Sequence, residues 1–424
     1  MLQISFIKDN KELVVKGLLK KRHSSAAEDI DNVLKLDDDR KSIQQEMDSS
    51  LAEANQKAKE IGALMKGGQK EEAEKAKEFA ASLRDKSNAL KENLKTIEKE
   101  LKTLLYKIPN VPHPSVPEGN SDADNEIIST HDFDVKLSEN KLPHWDLIKK
   151  YDIIDFELGN KITGAGFPIY KGKGARLQRS LINFFLNEAD ASGYTEIIPP
   201  IVVNEESGIA TGQLPDKEGQ MYHITEENLY LIPTAEVPLT NIFRDTIVKQ
   251  EDLPVKITGF TPCFRREAGS WGAHVRGLNR LHQFDKVEIV QIQKPENSYA
   301  ALEEMKNHVC SLLEKLNLPY RVLRLCGGDL SFTSTITYDM EVYSAAQEKW
   351  LEVSSVSNFE TYQANRLKLR YKDDNKKSQL LHTLNGSALA LPRIVAAILE
   401  NNQTDQGIKI PEVLVPFCGF DMID

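Results

Sequence analysis

The first quarter of the chain carries an apolar pattern with a period of about 3.5 residues, the period of left-handed coiled-coil packing. Between about Ala27 and Ile108 there is no proline, and charged residues alternate with apolar ones at helical spacing. The second half is regular, and its seam consists of Ala73, Ala76, Ala80, Leu83, Ser87, Leu90, Leu94, Ile97, Leu101, Leu104 and Ile108. The first half has a weaker stripe with one spacing out of phase, which consists of Ile43, Met47, Leu51, Ala54, Ala58, Ile61 and Met65. Both halves are therefore predicted to be long helices.

Gly67-Gly68 lies between the two halves and is a natural place for the chain to reverse. Two helices of about 38 residues, each rising about 1.5 Å per residue, would form an antiparallel hairpin about 55–60 Å long. Mixed charge on an exposed helix is normally a solvated surface, but if the hairpin contacts RNA, the lysine-rich second helix is the better candidate. Taken alone, the pattern favours a structural or oligomerising coiled coil.

The composition of the sequence changes after Ile108, where the helical pattern ends. Prolines at Pro109, Pro112, Pro114 and Pro117 lead into a small polar stretch, which predicts a linker over 109–130 after a helical arm over 1–108. From 131 to 424, short β-branched runs alternate with amphipathic helices. Strand pairs close in sequence, such as 258–267 with 281–292, indicate an antiparallel sheet flanked by helices, which is an α+β domain.

Composition narrows the class of protein. A chain of 424 residues is too long for one hydrophobic core, which predicts two or three domains. It contains 64 acidic and 54 basic side chains, which gives a net charge of -10. No stretch reaches the roughly 18 apolar residues of a membrane helix, and Lys8 and Asp9 come too early for a secretory signal. The cysteines are far apart and form no Cys-x-x-Cys pair, which excludes a disulfide scaffold and predicts a cytoplasmic protein. The acidic balance argues weakly against a general nucleic-acid binder but leaves a local basic face open.

Nucleotide-binding loops are missing from the sequence, which contains no Gly-x-x-x-x-Gly-Lys, Gly-x-Gly-x-x-Gly or His-Glu-x-x-His. Any ATP would therefore be bound by side chains on strands. On the predicted hairpin, Arg265 and Glu267 share one strand face by their spacing of two. Phe284 and Glu288 also share a face, about 13 Å apart. An aromatic ring, a guanidinium and two carboxylates could bind a flat base, a phosphate and an ammonium. The alternative is a surface hairpin with ion pairs.

Two further clusters could bind parts of a nucleotide. Glu352-Val353-Ser354-Ser355 offers a carboxylate and hydroxyls suited to Mg²⁺, although such pairs also occur by chance. The segment from Asn385 to Arg393 runs into an apolar helix, with Pro392 in its first turn. Arg393 at that helix start favours an anion, while a core helix with a capping arginine is the alternative.

Three segments together carry a family resemblance. They are Leu177 to Pro200, the hairpin with Phe264-Arg265-Arg266-Glu267, Arg276-Gly277-Leu278 and His282-Gln283-Phe284, and Asn385 to Gln403. These resemble the three motifs of class II aminoacyl-tRNA synthetases, the first of which builds the dimer interface in that class. Thr234-Ala235-Glu236, the run from Glu352 to Ser355 and the N-terminal helical hairpin narrow the resemblance to the seryl-tRNA synthetases.

The resemblance implies an antiparallel sheet ringed by helices, with the class II catalytic domain over 131–424 and a coiled-coil arm over about 27–108. The arm would reach across a homodimer to the long variable arm of the tRNA, where recognition is by shape. The reaction would activate L-serine with ATP and transfer it to tRNA(Ser), and the family makes tRNA(Sec) a second substrate to consider. Mg²⁺ would accompany ATP. No methanogen-type metal-binding insertion is present, so no zinc is expected.

The resemblance also assigns roles to single residues. The side chains expected at ATP are Arg265, Arg266, Glu267, Phe284, Glu352, Val353, Ser354, Ser355 and Arg393. Those expected at serine are Thr234, Ala235, Glu236, Arg265, Glu288, Asn385 and Ser387. Arg265 would hold the α-phosphate and the serine carboxylate, and Arg393 the γ-phosphate, so these two are the expected catalytic residues. Glu267 would bind the adenine amino group, Phe284 would stack on the ring, and Glu352 with Ser355 would bind Mg²⁺.

The loop Ser270-Trp271-Gly272-Ala273-His274-Val275 departs from the small and charged residues usual in the family, which affects the expected contact with the tRNA 3′ end. Two other functions remain open. A paralogue that loads an amino acid onto a carrier protein would usually lack the helical arm. A non-catalytic coiled-coil scaffold would have no need of Arg265, Glu267, Glu288, Glu352 and Arg393.

Overall fold

The computed structural model describes residues 1–132, 135, 137, 139–216, 218–267 and 276–424. The chain divides into two compact units. The first contains Met1–Leu19 and His23–Pro109, and the second contains Lys20–Arg22 and Asn110–Asp424.

The first unit is helical. Its elements are α1 (Ile4–Asp9), α2 (Lys11–Lys20), α3 (Ala26–Lys66) and α4 (Lys70–Lys107). The long helices α3 and α4 pack on each other on either side of the predicted glycine turn. Gly68 has a φ of 79°, a left-handed conformation that glycine adopts without steric cost, and the amide of Gln69 donates to the carbonyl of Leu64 at 3.0 Å. The predicted hairpin and its turn are therefore present.

The predicted buried positions agree with the structure in α4 but only partly in α3. In α4 the side chains of Ala73, Ala80, Leu83, Ser87, Leu94 and Leu101 are buried, as the spacing predicts. In α3 the predicted stripe is correct at Ile43, Met47, Ala54 and Ile61 and wrong at Leu51, Ala58 and Met65, which are exposed. From residue 43 to the end of α3, the buried or half-buried positions include Ile43, Met47, Ser50, Ala54, Lys57, Ile61 and Leu64. These follow an unbroken 4-3 spacing, so the heptad period places a serine and a lysine in the seam although apolar residues lie next to them.

The proline-rich segment 109–130 is not a free tether over its whole length. The side-chain amide of Asn110 donates to the carbonyls of Thr333 and Phe359, both at 2.9 Å, and Asn110 is 3% exposed. At its other end Glu126–His131 forms a strand, β1, which pairs antiparallel with Tyr320–Arg324. The proline content correctly predicts that residues 109–130 form no α-helix. It carries no information about which groups of this segment form hydrogen bonds with a distant part of the chain.

The second unit combines helices and strands. Its further helices are α5 (His144–Lys150), α6 (Phe156–Ile162), α7 (Gly172–Ala191), α8 (Glu205–Thr211), α9 (Glu236–Asn241), α10 (Ser298–Lys315), α11 (Thr361–Leu367), α12 (Leu391–Asn401) and α13 (Val415–Cys418). Its further strands are β2 (Ile154–Asp155), β3 (Ile169–Tyr170), β4 (Thr195–Glu196), β5 (Val202–Asn204), β6 (His223–Ile224), β7 (Leu229–Leu231), β8 (Ile247–Val248), β9 (Val255–Phe264), β10 (Gln283–Gln293), β11 (Tyr320–Arg324), β12 (Ile336–Ser344), β13 (Lys349–Asn358), β14 (Arg370–Lys372), β15 (Ser378–Leu380), β16 (His382–Ala390), β17 (Ile408–Lys409) and β18 (Met422–Ile423).

Within the described residues, eight strands form the main sheet in the order β1-β11-β12-β13-β16-β10-β9-β4. Every neighbouring pair is antiparallel except β4 with β9. The helices α7, α10 and α12 pack on this sheet and contribute much of its core. This is the predicted α+β architecture. No helix in the described ranges is both long and apolar enough to cross a bilayer.

One local expectation about the central hairpin is wrong. Strand β9 ends at Phe264, so the two-residue periodicity that was expected to align Arg265 with Glu267 does not extend to them. Glu267 has a φ of 48°, which turns the backbone out of the extended conformation. Phe284 and Glu288 do lie on one strand, β10, with Lys286 between them at the same alternation.

We expect the substitution Leu101→Ala to destabilise the helical hairpin by about 2–3 kcal/mol, because it removes buried methyl groups from a packed seam. Leu51→Ala should change the stability by less than about 0.5 kcal/mol, since that side chain is solvated in the folded state. Hydrogen exchange of the α3 and α4 amides in the full chain measures the local opening free energy. Equal effects of the two substitutions would contradict the seam described above.

Candidate active site

A cavity opens where β10, β13, β16 and the start of α12 meet the turn that precedes β10. It is lined by many of the residues that the sequence assigns to ATP and serine, together with that turn. The lining residues are Arg265, Glu267, Leu278, Asn279, Arg280, Leu281, Phe284, Lys286, Glu352, Val353, Ser354, Ser387, Ala390, Pro392 and Arg393. Side chains separated by more than 120 positions in sequence thus face one space.

One end of the cavity is aromatic and cationic. The guanidinium of Arg265 lies over the ring of Phe284, 5.2 Å from its centroid, and its Nε donates to the carbonyl of Pro233 at 3.3 Å. The carboxylate of Glu267 forms an ion pair with Arg280, which the sequence did not single out. Arg266 is exposed and does not line the cavity. The cavity therefore brings together the predicted ATP residues except for Arg266 and Ser355, which do not line it.

Glu352 and Arg393 also line the cavity and contact each other. The Nη1 of Arg393 donates to the Glu352 carbonyl at 2.6 Å and lies 3.5 Å from its carboxylate. Pro392 is in the first turn of α12, as predicted, so Arg393 does lie at a helix start. Val353 and Ser354 follow Glu352 and are buried beside the cavity: Val353 is 1% exposed, and the Ser354 hydroxyl donates to the Ser387 carbonyl at 2.5 Å.

The donor set for Mg²⁺ is oxygen-rich. The Ser355 hydroxyl lies 3.4 Å from a carboxylate oxygen of Glu352, and both residues are on β13. On the neighbouring strand, Asp339 is buried and one of its carboxylate oxygens has no protein partner. Burial first, and then the charge of Glu352, raise the pKa of Asp339 well above its usual range. Carboxylate and hydroxyl oxygens beside a space for phosphates suit Mg²⁺, which keeps several waters. Across the described residues, no cluster of three or more His, Cys, Asp or Glu side chains could hold a metal by itself.

A buried cation, Lys286, lines the cavity beside the residues expected at serine. The Nζ of Lys286 is 2.6 Å from the carboxylate of Glu288 and donates to the hydroxyl of Thr234 at 2.8 Å. The Thr234 hydroxyl in turn donates to Glu288 at 3.2 Å. Burial raises the pKa of Glu288, while Lys286 and Thr234 act in the opposite direction. The sequence reasoning did not assign a role to Lys286, although its alternation with Phe284 and Glu288 on β10 is a signal that could have found it.

A second buried carboxylate, Glu236, lies at the start of α9, after the fully buried Ala235. Its oxygens accept from the amides of Gln363 at 2.7 Å and Gln213 at 3.4 Å. Burial is the main cause that raises the pKa of Glu236 to about 7, the charge of Glu288 adds to it, and bonds from Gln363 and Asn385 oppose it. Neither glutamine was predicted, since their positions give no local signal of a shared pocket.

The segment 268–275, which contains the unusual Trp271-to-His274 stretch, lies outside the described residues. Its expected contact with the tRNA 3′ end stays a prediction.

The fold and the site define the class of protein, and comparison with known proteins agrees. The family model of the tRNA synthetase class II core domain (G, H, P, S and T) matches residues 221–402. That of the seryl-tRNA synthetase N-terminal domain matches residues 1–112. The chain thus has the architecture of a class II aminoacyl-tRNA synthetase.

Full-length relatives specify the family. The chain is 47% identical over 411 residues to the serine–tRNA ligase of Salinibacter ruber, with 96% of each chain covered. It is 45% identical to that of Prosthecochloris aestuarii, over 100% of this chain and 99% of the relative. The crystal structure of seryl-tRNA synthetase from Pyrococcus horikoshii complexed with ATP is similar with a TM-score of 0.94 at 33% identity, covering 100% of this chain and 99% of that one. The chain belongs to the seryl-tRNA synthetase family, as its sequence motifs predicted.

The raised pKa of Glu236 gives the stability a defined pH dependence. The folded chain keeps a proton that the unfolded chain releases near its ordinary pKa of 4.5, so this contribution is complete below pH 4.5 and is lost as the pH rises to about 7. In Glu236→Gln the group cannot ionise. We therefore expect the variant to gain stability over the parent between pH 4.5 and 7 and then to level off, by up to about 3 kcal/mol.

Denaturant unfolding at pH 5, 6, 7 and 8, without serine, measures this difference. Glu226→Gln is the matched control, because Glu226 is exposed and its carboxylate is solvated in both states. A difference between Glu236→Gln and the parent that stays constant with pH would contradict the assignment.

Proposed function

We propose how this chain carries out the reaction of its family: it activates L-serine with ATP and transfers the serine to the 3′ end of tRNA(Ser). In the first step a carboxylate oxygen of serine attacks the α-phosphorus of ATP. The new oxygen–phosphorus bond forms seryl-adenylate, and the bond to pyrophosphate breaks. No protein base is needed, since the nucleophile is already an anion, so catalysis consists of positioning and neutralising charge.

The lining of the cavity supports this proposal, because it combines most of the residues expected at ATP with Ser387 and with Lys286, which contacts Thr234 and Glu288. Phe284 and Arg265 offer a flat face and a cation for the adenine and the α-phosphate. Arg393, at the start of α12, would bind the γ-phosphate, and Glu267 the adenine amino group. Both Arg393 and Glu267 are now paired with protein groups, so ATP would replace these partners.

At the serine end, Thr234 and Glu288 are the acceptors that an ammonium group requires. The ammonium of Lys286 occupies this position in the structure, bonded to both groups. Serine would therefore compete with Lys286 for Glu288 and leave the lysine near the serine carboxylate. Asn385, Ser387 and Glu236 would complete the pocket around the serine hydroxyl.

Mg²⁺ bound by Glu352 and Ser355 would neutralise phosphate charge when ATP is present. The chain's own contribution there is to hold the two oxygen donors side by side on β13 and to keep Arg393 within reach of the same carboxylate.

The proposal also includes a tRNA partner, a second subunit and a location in the cell. The helical hairpin α3–α4 is the element proposed to bind the long variable arm of the tRNA, and tRNA(Sec) is a second candidate substrate. A homodimer would cover the segment after β4, where Ile198 is 86% exposed. A cytoplasmic location is consistent with the free and buried Cys263, Cys310, Cys326 and Cys418, since a reducing compartment keeps thiols unpaired.

The substitution Glu288→Gln tests the serine end. We expect serine-dependent exchange of pyrophosphate into ATP to lose about 10- to 100-fold in kcat/KM for serine, because the ammonium loses a charged acceptor. The KM for ATP should change little. Glu304→Gln, in a surface ion pair with Lys256, is the control.

Threonine and alanine are run in the same assay. We expect threonine to be the stronger competitor, since it keeps the hydroxyl and adds only one methyl group. A Glu288→Gln variant that discriminates and turns over like the parent would remove Glu288 from the serine site.

Deletion of 27–108 tests the division of labour. We expect the deletion variant to keep most serine-dependent pyrophosphate exchange and to lose tRNA charging, because the cavity is built from residues of the second unit alone. Both activities are measured on the same preparation, with folding checked by circular dichroism. Equal loss of the two activities in a folded variant would contradict this assignment.

A further inference from the structure

Both ends of helix α12 are connected by hydrogen bonds to the turn before β10, one end directly and the other through His144. At its start, the Nε of Arg393 donates to the carbonyl of Asn279 at 3.1 Å. Near its end, Glu400 accepts a hydrogen bond from the ring of His144, with 2.6 Å between Oε1 and Nδ1. The other ring nitrogen of His144 accepts from the amide of Leu278 at 2.8 Å. Successive residues of the turn are thus tied to the two ends of one helix.

The protonation of His144 follows from its partners. Its Nε2 accepts a backbone N–H, so that nitrogen carries no proton, and the proton on Nδ1 is donated to Glu400. Both side chains are 0% exposed. Because a buried N–H without an acceptor is costly, the ring of His144 fixes the position of Leu278 in addition to filling space.

Glu400 is the centre of this network. Its Oε1 also accepts from the His144 amide and from Gln347, both at 2.8 Å, and its other oxygen accepts from the hydroxyl of Ser344. Gln347 in turn accepts from the side-chain amide of Asn279 at 3.2 Å. The turn therefore has two connections to Glu400, one through His144 and one through Gln347.

The backbone at Gly277 is built around the same ring. Gly277 has a φ of 65°, and a Cβ there would lie 2.3 Å from the Nε2 of His144. The neighbouring guanidinium of Arg276 lies 4.8 Å from the centroid of the Trp145 ring. The turn therefore approaches α5 so closely that a side chain at position 277 would displace it.

We infer that His144, held by Glu400, is a positioning residue for ATP: it fixes the 277–279 turn, whose carbonyl at Asn279 orients the guanidinium of Arg393. The inference rests on the proposed function of the cavity. His144 does not line the cavity itself, while Leu278, Asn279 and Arg393 do. A displacement of about 1 Å at a phosphate-binding group can cost about 100-fold in rate, so an indirect support of this kind has a measurable effect.

Three substitutions separate the two hydrogen bonds of His144. His144→Gln places an amide oxygen about where Nε2 lies and can still accept from Leu278. His144→Asn is too short for that bond, but its amide can still donate to Glu400. His144→Phe keeps the ring and loses both bonds.

The assay is serine-dependent pyrophosphate exchange, with separate titrations of ATP and serine. We expect His144→Asn and His144→Phe to lose about tenfold or more in kcat/KM for ATP, because the Leu278 amide is left without an acceptor. His144→Gln should stay within about threefold of the parent. The KM for serine should be unchanged in all three, since Thr234 and Glu288 are not part of the network.

His308→Phe is the control, because His308 is a partly buried histidine of α10 that bonds to Ser192, away from the cavity. Equal changes in the ATP and serine parameters, or equal activity of the Gln and Asn variants, would reduce His144 to a structural residue and overturn the inference. If no His144 variant folds, Gly277→Ala displaces the turn from the His144 ring, because a Cβ there would lie 2.3 Å from Nε2, and an unchanged kcat/KM for ATP would then overturn the inference.

Calorimetric titration with ATP alone tests the positioning role of His144 independently of the proposed function. A parent chain without serine-dependent exchange would contradict the proposed function. Weaker ATP binding in His144→Asn than in His144→Gln would still support the positioning role, and equal binding would overturn it.

Discussion

Buried charge has to be partnered, and this requirement organises the centre of the main sheet. Lys286 and Glu288 are almost completely buried on β10, and each satisfies the other with the help of Thr234. A site that keeps its own ammonium on a buried carboxylate is suited to exchange it for the ammonium of an amino acid. The same requirement explains why amide groups donate hydrogen bonds to the buried Glu236. These bonds oppose the effect of burial, which raises the pKa of Glu236 to about 7.

Helix α12 connects this chemistry to the core. Nearly all of its residues are buried, so it cannot move without repacking the sheet beneath it. Its two charged side chains lie at opposite ends of this rigid helix, Arg393 at the cavity and Glu400 behind the 277–279 turn. Arg393 and the turn that orients it therefore share one support, which keeps their relative position fixed.

Much of the fold and part of the site could be predicted from the sequence. The helical hairpin, its glycine turn and the α+β second unit follow from periodicity, and most of the predicted ATP residues do face one cavity. The errors have physical causes. The α3 stripe was assigned by residue type, whereas the heptad period buries Ser50 and half-buries Lys57. The strand alternation assumed for Glu267 stops when β9 ends.

By itself, the sequence determined which local structures form and which chemical groups are available, because periodicity and motif spacing act over a few residues. Tertiary structure alone decided which of these groups meet. Lys286 with Thr234 and Gln363 with Glu236 are pairs separated by 52 and 127 positions, and the His144–Glu400 pair spans 256. Such pairs form because a buried polar group must find a partner wherever the folded chain provides one, and no local pattern records that choice.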